Sequence, residues 1–156
     1  MEKTNVMRIL DQRKIKYTPY DYTESGLVAA KDVASFLGVD ENQLFKTLVT
    51  TSKSNNHYVF VVPASSELDL KKAAKAVNEK NIELIHQKEL LPLTGYIHGG
   101  CSPIGMKKFF KTVFDSTATK YDTIFISGGK VGISIQVSLN DLSKIIRTTT
   151  SDLIKE

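Results

Sequence analysis

The chain has 156 residues, 41% hydrophobic and 24% charged, which suits one globular domain with a core of ordinary size. Its 21 basic and 17 acidic residues leave a net charge of +4, which permits an anionic partner such as RNA without demanding one. The single cysteine excludes an internal disulfide framework and fits a reducing cytoplasm; no apolar run could span a bilayer, and Met1 to Val6 lacks the apolar core of a signal peptide.

Thr4 is placed to cap a first helix running to about Lys16, with Val6, Ile9 and Leu10 on one face. Tyr17 to Tyr22 reads as extended, and Pro19 assigns it to an edge or an irregular strand. Its tyrosines, Tyr20 among them, either line a pocket or pack with their hydroxyls in water. Val28 to Leu37 reads as a short helix stopped by Gly38. Phe45 to Thr51, rich in β-branched residues, reads as a strand. The chain then turns at Ser54 to Asn56 and returns as a strand over His57 to Val62, closed by Pro63. Lys46 stands at the start of the outgoing strand. A lysine there either solvates an edge or supplies a site with a cation.

Ser66 to Asn78 reads as a helix with Leu68, Leu70, Ala73, Ala74 and Val77 facing inward. Its outer face carries Lys71, Lys72 and Lys75, a solvated surface or a nucleic-acid contact. Ile82 to Ile85 reads as a short buried strand, and Gln87 to Leu91 as a turn of helix ended by Pro92. Gly95 to Gly105 follows as a loop with four glycines, Pro103, Ser102, His98 and Cys101. Such a loop can aim several backbone N–H groups at one ligand, or it can be a tight connection between strands. Beyond it, Lys107 to Asp115 alternates charged and apolar residues. Thr123 to Ser127 and Gly132 to Val137 read as strands joined by a second glycine-rich turn. Ser138 and Asp141 match a capping box opening a C-terminal helix with Leu142, Ile145 and Ile146. Strands gathered in runs predict an α+β fold with a mixed sheet.

Familiar catalytic motifs are absent. The chain has no phosphate-binding Gly-x-x-x-x-Gly-Lys, no dinucleotide fingerprint and no Gly-x-Ser-x-Gly. His57, His86 and His98 lack metal-ligand spacing, and one cysteine cannot build a zinc site. Cys101 reads either as a nucleophile, which would need an oriented base and a depressed pKa, or as a small packing residue.

Taken together, Phe45-Lys-Thr-Leu48, Leu68-Asp-Leu-Lys-Lys-Ala-Ala-Lys75, Thr94-Gly-Tyr96, Gly99-Gly-Cys-Ser-Pro-Ile-Gly105 and Ser127-Gly-Gly-Lys-Val-Gly132 occur in an order that resembles the YbaK family of aminoacyl-tRNA deacylases. That family is related to the editing domain inserted in bacterial prolyl-tRNA synthetases. The resemblance covers essentially the whole chain. It implies a single deacylase domain over residues 1–156, with a mixed, partly barrel-like β-sheet surrounded by helices. It implies a pocket between the Lys46 strand and the two glycine loops, with Lys46 holding the terminal adenosine or phosphate of the tRNA. Gly99, Gly100 and Ser102 would bind the aminoacyl group. Tyr20, Thr47, Gly105, Ser127, Gly128 and Gly129 would complete the substrate contacts.

The implied substrate is Cys-tRNA(Pro), with Cys-tRNA(Cys) as a second. The implied chemistry is attack by the substrate's own thiol on its ester. Alanine editing by water, or a non-catalytic module that docks on tRNA or a synthetase, stands beside it. The resemblance implies aminoacyl-tRNA and prolyl-tRNA synthetase as partners in the cytoplasm, with no DNA, membrane, metal or cofactor. Two departures stand out. Cys101 occupies a position that is commonly apolar in the family. Ser134 and Gln136 are neutral where some relatives carry an acidic side chain.

Overall fold

The computed structural model describes all 156 residues. The chain runs α1 (Asn5–Gln12), β1 (Tyr17–Asp21), α2 (Ala30–Leu37), β2 (Phe45–Thr51), β3 (His57–Pro63), α3 (Leu70–Ala76), β4 (Glu83–Leu84), α4 (Gln87–Thr94), β5 (Lys111–Asp115), β6 (Ile124–Lys130), β7 (Ile133–Val137), α5 (Leu139–Leu142) and β8 (Thr148–Ser151).

The strands make a three-stranded sheet in the order β1-β7-β6 and a five-stranded sheet in the order β4-β2-β3-β5-β8. The small sheet is antiparallel throughout. The large one is mixed: β2 pairs antiparallel with β3 and β4, whereas β3–β5 and β5–β8 are parallel. This is the expected mixed α+β arrangement, but no closed barrel forms. The sheets meet at one parallel bridge, Leu44 beside Phe125.

Alternation along β3 explains how the large sheet is buried on both faces. Val59 and Val61 join Phe45, Val49 and Phe114 in a core shared with α1 and the small sheet. Phe60 and Val62 face the other way, onto Ala73, Ala74 and Val77 of α3 and its C-terminal end.

Local chemistry sets where the helices start and stop. Thr4 caps α1, its hydroxyl accepting from the Met7 N–H at 3.2 Å. Helix α3 begins at Leu70, not Ser66, because Asp69 caps it: its carboxylate accepts from the N–H of Lys71 at 2.9 Å and of Lys72 at 3.1 Å. Helix α4 runs past Pro92 to Thr94. Pro92 cannot donate to the Lys88 carbonyl and its ring crowds that group, but the turn is held by Thr94 Oγ1 donating to the Leu90 carbonyl at 2.7 Å and Gly95 N to that of Leu91 at 2.8 Å. The glycine loop therefore leaves a helix, not a strand.

Two further expectations are corrected. The buried strand at Ile82 to Ile85 is the two-residue β4, which is exposed; only Ile82 is deeply buried, against the α3 cluster. The C-terminal helix is one turn, α5. Ser138 Oγ accepts from Asp141 N at 3.1 Å, but the Asp141 carboxylate turns to Lys144. The chain after it becomes β8, a parallel edge strand beside β5.

Candidate active site

The lone bridge between the sheets creates the site. Beyond Leu44 and Phe125, no pairing joins β2 to β6, so the strands fork. Main-chain direction along β2 sharpens the point. The Val49 carbonyl accepts from Ile85 N at 3.2 Å, which places it on the β4 side. Antiparallel ladders alternate, so the N–H and C=O of Thr47 turn to the same side, where β4 does not reach. A cavity of about 330 Å³ occupies the fork. Val33, Leu44, Phe45, Leu90, Phe125 and Ile133 supply apolar walls, and Lys46, Thr47, Ser127, Ser134, Tyr22 and His98 supply polar groups.

Lys46 is half-buried and forms no ion pair. Burial lowers its ammonium pKa below the ordinary lysine value, partly offset by the field of Glu67. It is a cation whose donors are free for an anionic or carbonyl ligand. Next to it, Thr47 Oγ1 is buried without a hydrogen-bond partner, the only such side-chain atom in the protein. An unmade hydrogen bond of this kind costs roughly 1–3 kcal/mol. Cys101 lines the same cavity, but burial pushes its thiol up to about 12. It is neutral near pH 7 and lacks the thiolate that a nucleophile needs.

The first glycine loop is braced from within. Tyr96, whose own hydroxyl is held at about 12 by burial, donates to the Ile104 carbonyl across the base of the loop. Ser102 is fully buried and spends its hydroxyl as acceptor for Ile104 N at 3.2 Å. Gly100 is required by contact with the second loop. A Cβ there would lie 3.0 Å from Val131 N and 3.2 Å from the Lys130 carbonyl carbon, both main-chain atoms that cannot swing away. The two glycine loops thus pack main chain against main chain.

Among the residues implied by the resemblance, Lys46, Thr47, Gly99 and Ser127 line the cavity. Gly100, Ser102, Gly105, Gly128 and Gly129 lie outside its lining and build the frame. Gly105, at φ +75°, faces Ile9 and Tyr96; Gly128 faces Ile133; Gly129, at φ +95°, faces Val6. The Ser127 hydroxyl accepts from Gly129 N at 3.1 Å and fixes that turn. Tyr20 supports the wall: its ring packs 5.6 Å from Phe125, and its hydroxyl donates to Gln136 Oε1 at 2.9 Å.

Tyr22, His98 and Ser134 also line the cavity, although the sequence assigned none of them a substrate contact. Tyr22 and Ser134 share a hydrogen bond of 2.9 Å. Tyr22 is one of the tyrosines of the Tyr17 to Tyr22 segment that could line a pocket, and it does. Its partner, 112 positions away, left no local signal. The neutral Ser134 and Gln136 therefore act as partners of tyrosine hydroxyls.

The fold and site define a protein whose cavity presents a cation and a glycine loop and offers no ionised thiol of its own. Residues 24–145 match the aminoacyl-tRNA editing domain family, and the chain belongs to that family. It is 45% identical over 138 residues to EbsC of Enterococcus faecalis, whose name proposes a Cys-tRNA(Pro)/Cys-tRNA(Cys) deacylase; the match covers 88% of this chain and 84% of EbsC. It is 24% identical over 151 residues to the proline–tRNA ligase of Fervidobacterium nodosum, spanning 92% of this chain and 26% of the ligase. A crystal structure described as a trans-editing enzyme proposed for prolyl-tRNA synthetase has the same fold, with TM-score 0.84 over 100% of both chains at 22% identity. The protein is an aminoacyl-tRNA deacylase.

Proposed function

We propose that the chain removes cysteine from mischarged tRNA, with Cys-tRNA(Pro) as its main substrate and Cys-tRNA(Cys) as a second. The observation that carries this reading is a cavity with a free cation and a neutral, buried thiol: Lys46 is available, while Cys101 is held near 12. In this reading the attacking group arrives with the substrate or as water. A cysteinyl ester brings a thiol, intrinsically far more nucleophilic than a hydroxyl.

In this reading the substrate thiol gives up its proton and its sulfur attacks the ester carbonyl carbon. A C–S bond forms, the C–O bond to the terminal ribose breaks, and the ribose oxygen takes up a proton. The products are a thiolactone and free tRNA. Lys46 holds the terminal nucleotide, the Thr47 hydroxyl turns from its buried position towards the aminoacyl ester, and the main chain of Gly99 faces the charge that develops on the carbonyl oxygen. Positioning and fixed donors then supply the acceleration. The chain's likeness to part of a proline–tRNA ligase supports prolyl-tRNA synthetase as a partner that lends tRNA selectivity. Charged tRNA in turn makes the cytoplasm the place of action.

The test compares Cys-, Ser- and Ala-tRNA(Pro) with and without prolyl-tRNA synthetase and traps the released product. Rapid turnover of cysteine with a thiolactone-derived product, and slow turnover of serine and alanine, is expected. Equal rates for cysteine and alanine with free amino acid released would assign the protein to water-driven alanine editing.

A further inference from the structure

After Gly105 the chain reads Met-Lys-Lys-Phe-Phe-Lys111. Phe109 is 77% exposed, more than any other large hydrophobic residue in the protein. Lys107, Lys108 and Lys111 are exposed beside it, and none takes part in an ion pair. No acidic residue occurs between Glu89 and Asp115. Single exposed apolar residues are ordinary on protein surfaces. This one differs because its neighbours are anchored. Lys107 N donates to the Thr94 carbonyl at 3.0 Å, and the Lys107 side chain lies 3.4 Å from where a Cβ on Gly95 would stand. On the other side, Phe110 is partly buried edge-on against His57 at 5.8 Å, and its carbonyl accepts from Thr112 Oγ1 at 3.1 Å. Phe110 takes the place in the core, and Phe109 is held outward. The same loop carries Gly99, which lines the cavity.

We propose that Phe109, with Lys107, Lys108 and Lys111, is an RNA-binding surface that receives the nucleic-acid part of aminoacyl-tRNA while the ester enters the cavity. The ring face stacks on a base whatever its identity, and the lysines neutralise phosphates and release their counterions. Three unpaired cations in a stretch without acids favour RNA over a protein partner. The inference rests on the deacylase reading, and its test is kept separate from turnover.

Binding of unacylated tRNA(Pro) to the full chain is measured by fluorescence anisotropy over a range of salt concentrations. Phe109→Ala is expected to weaken binding roughly tenfold, and Phe109→Trp to restore it, because stacking needs a ring. Replacing the three lysines with alanine is expected to flatten the slope of log K against log salt by roughly 2. In deacylation, both variants should raise KM and leave kcat in place, since these side chains lie outside the cavity. Unchanged affinity and salt slope would overturn the proposal. A defect that emerges only with prolyl-tRNA synthetase present would also overturn it, by assigning the surface to a protein contact. A wild type that binds tRNA but deacylates none of the aminoacyl-tRNAs would instead sink the functional reading and leave the surface standing.

Discussion

Replacing Thr47 with valine should move stability and activity in opposite directions. Valine keeps the β-branched shape that suits β2 and removes the hydroxyl that is buried without a partner. In the unfolded chain water satisfies that hydroxyl, so folding carries its desolvation cost unrelieved. Deleting it should stabilise the free protein by about 1–2 kcal/mol. For a chain of this size that is a rise in Tm of roughly 2–8 °C. If the same hydroxyl meets the aminoacyl ester, a neutral hydrogen bond of about 1–1.5 kcal/mol is lost, a fall in kcat/KM of roughly five- to tenfold. The assay pairs a thermal melt of Thr47→Val with single-turnover deacylation of Cys-tRNA(Pro). A lower Tm with unchanged turnover would refute the reasoning. The hydroxyl would then have a partner in the free protein and none in the substrate.

Lys46→Met is expected to cut deacylation by two orders of magnitude or more, because placement of the ester depends on the cation, while the circular dichroism spectrum stays native. The sign of its pH dependence follows from the lowered pKa. A lysine whose folded pKa is depressed destabilises the fold while charged, and that cost is relieved as pH rises through the folded value towards 10.5. The wild type should therefore gain stability relative to Lys46→Met over that alkaline window, read from urea midpoints; a relative loss would contradict it. Cys101→Ala should retain turnover, and Cys101 in the native protein should resist alkylation at pH 8, since its thiol is held near 12; loss of turnover in a folded variant would reinstate it as a nucleophile. Gly100→Ala should lose about 1–3 kcal/mol of stability, because the new methyl meets main-chain atoms of residues 130 and 131. A normal melt would show that the loops can part.

How much of this was legible in the sequence depends on the range of the interaction involved. The β2–β3 hairpin follows from β-branched runs around a Ser-Asn-Asn turn, and the α1 cap from Thr4, because both are settled by near neighbours. Strand β8 was hidden. Leu142, Ile145 and Ile146 have helical spacing after a capping serine, yet Ile145 and Ile146 pack on the main core past the end of α5. Thr148 to Ser151 then finds its partner in β5, more than thirty positions earlier. In the site, Lys46 and both glycine loops could be nominated from residue type and order. Their division of labour could not. Gly100 is shaped by Lys130 and Val131, and Ser102 spends its hydroxyl inside its own loop. Tyr22 needed Ser134 from the far end of the chain. The Gly100 and Tyr22 contacts depend on meetings that only the folded chain arranges.

The single bridge between Leu44 and Phe125 gives the cleft the geometry of calipers. Its aperture is fixed by the angle between two arms joined at one pivot, not by the outline of a closed ring. The arms are held apart by Val6, Leu10, Ile104 and Ile135, side chains packed in the core that the two sheets share and absent from the cavity lining. A methylene added or removed there resets the opening while every group that touches the acyl ester keeps its identity. Descendants of this scaffold can therefore drift towards larger or smaller aminoacyl groups through substitutions that a comparison of lining residues alone would score as silent.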